Sequence, residues 1–267
     1  MTIWFILTSI VVAAPYELSD EGRTFHDPDK AALIVVTPGV KRDNYSLLID
    51  KLEREGLDAW SIRFPIEAQD ASLITSIWIP AALEEFDTQV TVLVGHGFGG
   101  TLAAEAVALG TASPNALAIL GSPLITHPTK LSDWVAKQPI PIDPISPDMF
   151  EDITWEDKLL TALLLGEESL TLEVMSPQWV STIQSWMTGQ LNIDLTEASC
   201  PIWAGSSGMD NIAPPEWVRP KVAPSSFIRF GYLRMNRVEP DHSQLLTDSP
   251  APRALSKWSA AQLEDIQ

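Results

Sequence analysis

The stretch Val90-Thr-Val-Leu-Val-Gly-His-Gly-Phe-Gly-Gly-Thr101 decides how this chain folds. It opens as an apolar, β-branched run and closes in a cluster of glycines. Leu102, Ala103, Ala106, Val107 and Leu109 follow at helical spacing. Strand, sharp turn, helix is what that pattern predicts. A tight strand-to-helix turn needs positive φ and close backbone approach, and a Cβ obstructs both, so glycine collects there.

The pattern repeats on either side. Ala32-Leu-Ile-Val-Val-Thr37 reads as a buried parallel strand, followed by Pro38-Gly39-Val40. Asp43 to Glu55 is a helix, with Tyr45, Leu47, Leu48 and Leu52 on one face and Gly56 at its end. Leu57 to Arg63 is the next strand, closed by Pro65. Ala71 to Phe86 is helical and interrupted by Pro80. Ala116-Leu-Ala-Ile-Leu120 is a further buried strand, ending at Gly121-Ser122-Pro123. Pro201-Ile-Trp-Ala-Gly205 and Ser226 to Phe230 are the last strands, and Pro252 to Leu263 is a closing amphipathic helix. Strands alternating with helices imply a mostly parallel central sheet with helices on both faces, the α/β class.

Two motifs compete for the central turn. Gly95, Gly97 and Gly100 match the dinucleotide fingerprint G-x-G-x-x-G. That site belongs in the first βαβ unit, with an acid about 20 residues further on for the ribose. Here two β/α units come first, and Ser113 to Ser122 holds no acid, so dinucleotide binding is a remote alternative. The second motif is the nucleophile elbow, G-x-S-x-G. Gly95-His96-Gly97-Phe98-Gly99 matches it everywhere except the centre, where Gly97 stands in the serine position.

This turn, and the residues around it, resemble the α/β-hydrolase family from about Ala31 onward. The resemblance implies a triad in the order nucleophile, acid, base, and it assigns the acid to Asp210 and the base to His242. Gly97 is then a degenerate nucleophile position. In the family a His-Gly pair after the first central strand shapes the oxyanion hole. Here Pro38 replaces that His, Gly39 remains, and the Val40 and Phe98 amides are the implied donors. The alternative for this segment is an ordinary strand-end turn.

The resemblance also implies a cap. The α/β pattern stops over 125–198, a segment rich in Pro with short helix candidates at Asp157 to Leu165 and Pro177 to Gly189. It carries Trp134, Trp155, Trp179 and Trp186, which suit the core of a cap or the wall of an apolar pocket. The expected organisation is an apolar N-terminal segment at 1–14, a hydrolase-like core at 15–124 and 199–267, and a cap insertion at 125–198.

Three functional readings follow, and whether the chain is an enzyme stays open. In the first it is a non-hydrolytic pseudoenzyme that binds a small apolar or acyl-type ligand, or a protein partner. In the second it is a hydrolase or lyase in which His242, oriented by Asp210, acts as general base. In the third, Ser122, Ser206 or Ser207 replaces the missing nucleophile, although none of them sits on the strained turn.

Composition narrows the partners. The 267 residues carry a formal charge of −18 and are 45% hydrophobic, with 10 Trp. That suffices for a sizeable core, and such a surface repels phosphate backbones, so no nucleic acid is expected. The single cysteine, Cys200, excludes an internal disulfide and reads as a buried inert thiol. His26, His96, His127 and His242 are not paired at ligand spacing, so neither a metal nor a cofactor is expected. His96 reads as a structural residue tied inside the fold, and His26 and His127 as surface residues. Ile3 to Ala14 is almost wholly apolar, short for a membrane span and without a preceding Lys or Arg. Signal, anchor and packed segment all remain open for it. The cytoplasm is favoured over export, with membrane contact only through residues 3–14.

Overall fold

The computed structural model describes residues 16–20, 29–37, 42–64, 71–86, 90–125, 191–210, 213–231, 239–240, 242–247 and 250–264. The N-terminal segment 1–14, Pro38 to Val40, His26, His127, both cap helix candidates and the four tryptophans quoted above lie outside them.

Seven strands form one sheet in the order β1-β3-β2-β4-β5-β6-β7. They are β1 (Glu17–Asp20), β2 (Lys30–Val35), β3 (Asp58–Arg63), β4 (Val90–His96), β5 (Ala116–Leu120), β6 (Ile202–Ser207) and β7 (Phe227–Phe230). All neighbours run parallel except β1, which pairs antiparallel with β3, Glu17 opposite Arg63. The central strands are continuous apolar runs because both faces are covered: β5 is buried throughout, and β4 at every residue after Val90. Residues 17–20 form an edge strand beside β3.

The chain reverses direction between β2 and β4. From β2 it crosses leftward through α1 (Ser46–Arg54) to β3, and from β4 rightward through α3 (Gly97–Ala108) to β5. Right-handed crossovers therefore put α1 on one face and α3 on the other. Two short helices, α4 (Pro215–Val218) and α5 (His242–Thr247), precede the closing helix α6 (Ala251–Glu264), which packs against α1, and α3 packs against α2 (71–84). A ligand site is expected beyond the carboxyl ends of the strands at such a switch point.

Two helices differ from their sequence reading. α1 starts at Ser46, after a 3-10 turn over Arg42–Tyr45. It ends as expected: Gly56 has φ +83, its N–H donates to Glu53 O, and the Leu57 N–H donates to Leu52 O. α2 is not broken at Pro80. Its middle, Ile74–Trp78, widens into a π turn, and Pro80 sits in the first turn of the segment Ile79–Glu84. The carbonyl that an i→i−5 donor at position 80 would serve belongs to Thr75, and it accepts from the Thr111 hydroxyl at 2.7 Å. A side chain from elsewhere thus replaces the N–H that proline lacks.

After Ile125 the next described residues, 191–198, lie against the core. Leu191, Ile193 and Leu195 are buried, Ile125 and Asn192 form an antiparallel bridge, and the Ile193 N–H donates to Leu124 O at 2.7 Å. Among the described residues no helix is long and apolar enough to cross a membrane.

The β4–α3 turn is packed backbone against backbone. A Cβ at Gly99 would stand 2.9 Å from Thr37 N and 3.1 Å from the Val35 carbonyl carbon, neither of which can yield. Gly99→Ala is therefore expected to destabilise the protein by about 2 kcal/mol or more through overpacking, read as a lower urea midpoint at unchanged m-value. An unchanged midpoint contradicts this packing.

Candidate active site

Each candidate side chain stands at the carboxyl end of a strand, or just beyond it. Thr37 lies just past β2, Gly97 opens α3 directly after β4, Gly121 directly follows β5, Asp210 lies three residues past β6, and His242 opens α5 (His242–Thr247) beyond β7. His242, assigned as the base by the resemblance, is the first residue of that short helix.

The structure brings Gly97, Asp210 and His242 together. His242 Nδ1 lies 3.0 Å from Asp210 Oδ1, with both side chains almost wholly buried. A carboxylate only accepts, so Nδ1 carries the proton and donates it. The other ring nitrogen faces the turn: a Cβ built at Gly97 would stand 3.1 Å from His242 Nε2. Gly97 has φ +56, the left-handed value in which an L side chain is strained. Gly95, Gly99 and Gly100 are different, because a Cβ there runs into backbone or into Ser122. Of the four glycines in the turn, position 97 alone has room toward the imidazole.

Asp210 titrates below its ordinary 3.8. Burial pushes its pKa up, but the His242 charge, the His242 hydrogen bond, the Ala213 N–H at 2.8 Å and His96 together outweigh that push. The aspartate is thus ionised and aimed at the imidazole.

His96 is a structural partner in this geometry. It is 3% exposed, and its Nε2 lies 3.0 Å from the His242 carbonyl, which can only accept. The rings of His96 and His242 stand 4.3 Å apart, tilted by 35°. Burial first, then the His242 charge, lower the His96 pKa from 6.5 to about 3, against the smaller opposing pull of Asp210. His96 is therefore a neutral ring with its proton on Nε2.

Three residues that the sequence did not single out complete the site. Thr37 Oγ1 accepts from the Gly99 N–H at 2.9 Å and from the Tyr45 hydroxyl at 3.3 Å, and donates to the His96 carbonyl at 3.0 Å. The Thr37 N–H donates to Tyr45 Oη at 3.1 Å, so Tyr45 belongs to this network as well as to the core. Gly121, with φ +55, backs the dyad: a Cβ there would stand 2.8 Å from Asp210 Oδ2 and 3.2 Å from His242 Nδ1. The only sequence signal for these three is position. Thr37 is the first polar residue after an apolar strand, and Gly121 ends another.

The alternative serines are occupied. Ser122 Oγ donates to Leu120 O at 3.1 Å, Ser206 Oγ donates to Ala213 O, and Ser207 Oγ accepts the Met209 N–H at 3.2 Å. Ser206 and Ser207 are buried residues of β6. Phe98 is the second residue of α3, with its side chain fully buried. Gly39 and Val40 lie outside the described residues. Cys200 is half-buried, with its thiol pKa raised by that burial. Among the described residues no group of three His, Cys, Asp or Glu could hold a metal ion.

No family model matches the chain, and no curated protein does. Solved structures match over nearly its whole length. The monoacylglycerol lipase of Paleococcus ferrophilus shares 14% identity over 92% of this chain and 99% of its own, with a TM-score of 0.60. The enol-lactonase of Burkholderia xenovorans LB400 shares 13% over 93% and 95%, with a TM-score of 0.58. YbtT, a type II thioesterase of the yersiniabactin pathway, shares 14% over 94% and 99%, with a TM-score of 0.54. The chain has the α/β-hydrolase fold, and its dyad stands at the strand ends of that fold.

Two measurements check this geometry. The unfolded chain binds a proton at His96 below pH 6.5 that the native state takes up only near pH 3. Stability should therefore fall as pH drops from about 6.5 toward 3, and His96→Gln should flatten that slope. A slope unchanged in the variant places the proton elsewhere. Gly121→Ala should part Asp210 from His242, seen as loss of the low-field Nδ1–H proton resonance of His242. A resonance that stays in place refutes the crowding at 121.

Proposed function

We propose that this chain is a non-hydrolytic protein of the hydrolase fold, which binds a small apolar or acyl-type ligand or a protein partner. It keeps an Asp210–His242 dyad and lacks the nucleophile that such a dyad activates. One observation carries the reading: the residue whose side chain would meet His242 Nε2, at 3.1 Å, is a glycine. In a hydrolytic triad the carboxylate orients the imidazole, and the imidazole takes the proton of the attacking hydroxyl. Glycine has no atom to attack with. Removing a triad nucleophile costs about 10⁶ in kcat in a serine protease, with the residual rate owed to binding and the oxyanion hole. The nearby serines do not compensate, since each is engaged with backbone. The 125–198 segment, with its four tryptophans, is the proposed cap over the ligand.

One feature favours a second reading. With Nδ1 spent on Asp210, Nε2 is left as a lone-pair acceptor facing Gly97, the correct tautomer for a general base. His242 would then deprotonate water or substrate directly, with no acyl-enzyme.

A fluorophosphonate probe separates both readings from serine hydrolysis. The wild-type protein should take no label. Gly97→Ser should take label through the restored hydroxyl, and should lose about 1 kcal/mol or more of stability because serine is strained at this φ. A labelled serine in the wild type overturns the proposal. If a native turnover is found, Asp210→Asn and His242→Ala should abolish it, and full activity in both variants would remove the dyad from the chemistry.

A further inference from the structure

We propose that the outer face of α2 is a docking surface for this chain's own residues 3–14, the apolar segment ahead of β1. The surface is separate from the dyad and does not depend on the missing hydroxyl.

α2 differs from the other long helices in what it shows to solvent. Ala71-Ser-Leu-Ile-Thr-Ser-Ile-Trp-Ile-Pro-Ala-Ala-Leu83 holds no charged residue. Ala71, Ile74, Ile79 and Ala82 belong to the core. The opposite side carries Leu73, 41% exposed, and Ile77, 53% exposed. Exposed Ser72 and Ser76 flank them, and half-buried Pro80 and Ala81 continue the stripe to Glu84 and Glu85. By contrast α1 turns Arg54 outward, and α6 turns Arg253, Lys257 and Glu264 outward. A surface helix places charge on its solvent side, and a helix apolar all round is covered on both sides. In a chain of net charge −18, the uncharged outer face of α2 is the side that lacks a cover.

The tether of residues 3–14 selects them as that cover. β1 begins at Glu17, paired with Arg63 at the end of β3. Phe64, the residue after Arg63, stacks on Trp78 of α2 with ring centroids 6.0 Å apart. Tyr16, the residue before Glu17, packs against the core and donates its hydroxyl to Glu85 Oε1 at 2.9 Å, just past the end of α2. The segment is therefore fastened where the apolar stripe ends. Leu73 lies about 18 Å from Glu85 along the axis, at about 1.5 Å per residue. A stretch the length of 3–14 spans about 18 Å as a helix and about 40 Å extended, so it reaches the whole stripe in either conformation. Ile3-Trp-Phe-Ile-Leu-Thr-Ser-Ile-Val-Val-Ala-Ala14 is also uncharged, so the two surfaces leave water together at no cost in buried charge. A second copy would have to compete with a segment held beside the face by its own chain. An anionic membrane is repelled by the charge of −18 and by Glu84 and Glu85 at the end of the stripe.

The test is photo-crosslinking in the full chain from p-benzoylphenylalanine placed at position 77, with the product mapped by mass spectrometry. The label should join residues 3–14 of the same chain. A crosslink to a second copy or to 125–198 overturns the proposal, as does the absence of any crosslink to 3–14. Hydrogen exchange supplies a second readout. Peptides covering 3–14 should be protected in the wild-type protein. Leu73→Lys and Ile77→Lys, both at exposed positions, should each raise their exchange by about tenfold or more, the factor for losing one buried aliphatic contact. Exchange in β4 and β5 should stay unchanged and report an intact fold. Ile228→Lys, on β7 at the far edge of the sheet, should leave 3–14 as in the wild type. Exchange of 3–14 at the rate of an unfolded chain in the wild type overturns the proposal. So does a folded Ile77→Lys that leaves it unmoved, or an equal rise in Ile228→Lys.

Discussion

The close approach of backbone to backbone where β4 turns into α3 is the constraint on which the site depends. The Gly99 amide reaches Thr37 Oγ1 at 2.9 Å, and the Gly99 Cα packs on the chain of β2 with no room for a side chain. This contact presses the first turn of α3 against the end of its neighbouring strand. It holds position 97 at φ +56, facing the mouth of the sheet, and a mobile turn could not hold that position within reach of His242. The strain sits at a glycine, where it costs little. Thr37 then ties the other side through the His96 carbonyl, so one hydroxyl joins three chain segments at the turn.

The second constraint is electrostatic. An ionised carboxylate with 1% exposure is expensive unless it is paired and hydrogen-bonded. Asp210 meets both conditions, through His242 Nδ1 and the Ala213 amide. His96 packs against the same imidazole as a neutral ring and grips the His242 main chain through Nε2. A second charged ring there would oppose any proton taken up by His242, and burial prevents it by holding the His96 pKa near 3. The imidazole is therefore anchored at both ends, by its main-chain carbonyl and by Nδ1, and Nε2 alone is directed at the turn.

Much of this was legible from residue order. The glycine cluster after a β-branched run located the turn, and the α/β alternation implied the parallel sheet. Asp210 after a strand and His242 near the end of the chain were found by their place in the order. Thr37, Tyr45 and Gly121 were not. Their roles come from contacts between separate segments: Thr37 meets Gly99, 62 residues away, Tyr45 enters through Thr37, and Gly121 backs Asp210 and His242 from another strand end, and no local pattern encodes such contacts. Pro80 misled for the same reason. Locally it breaks a helix, but Thr111 supplies the missing donor from another part of the chain.

By itself the sequence determined the class of fold, because hydrophobic period and glycine chemistry are local and need no partner. It also determined that position 97 has no hydroxyl. Only the tertiary structure decided that this position faces an imidazole, that the imidazole is paired with Asp210, and that Nε2 is the nitrogen left over. Those are distances between strand ends, set by how seven strands and their helices pack, and they exist only once the sheet has closed the gaps between residues that lie far apart along the chain.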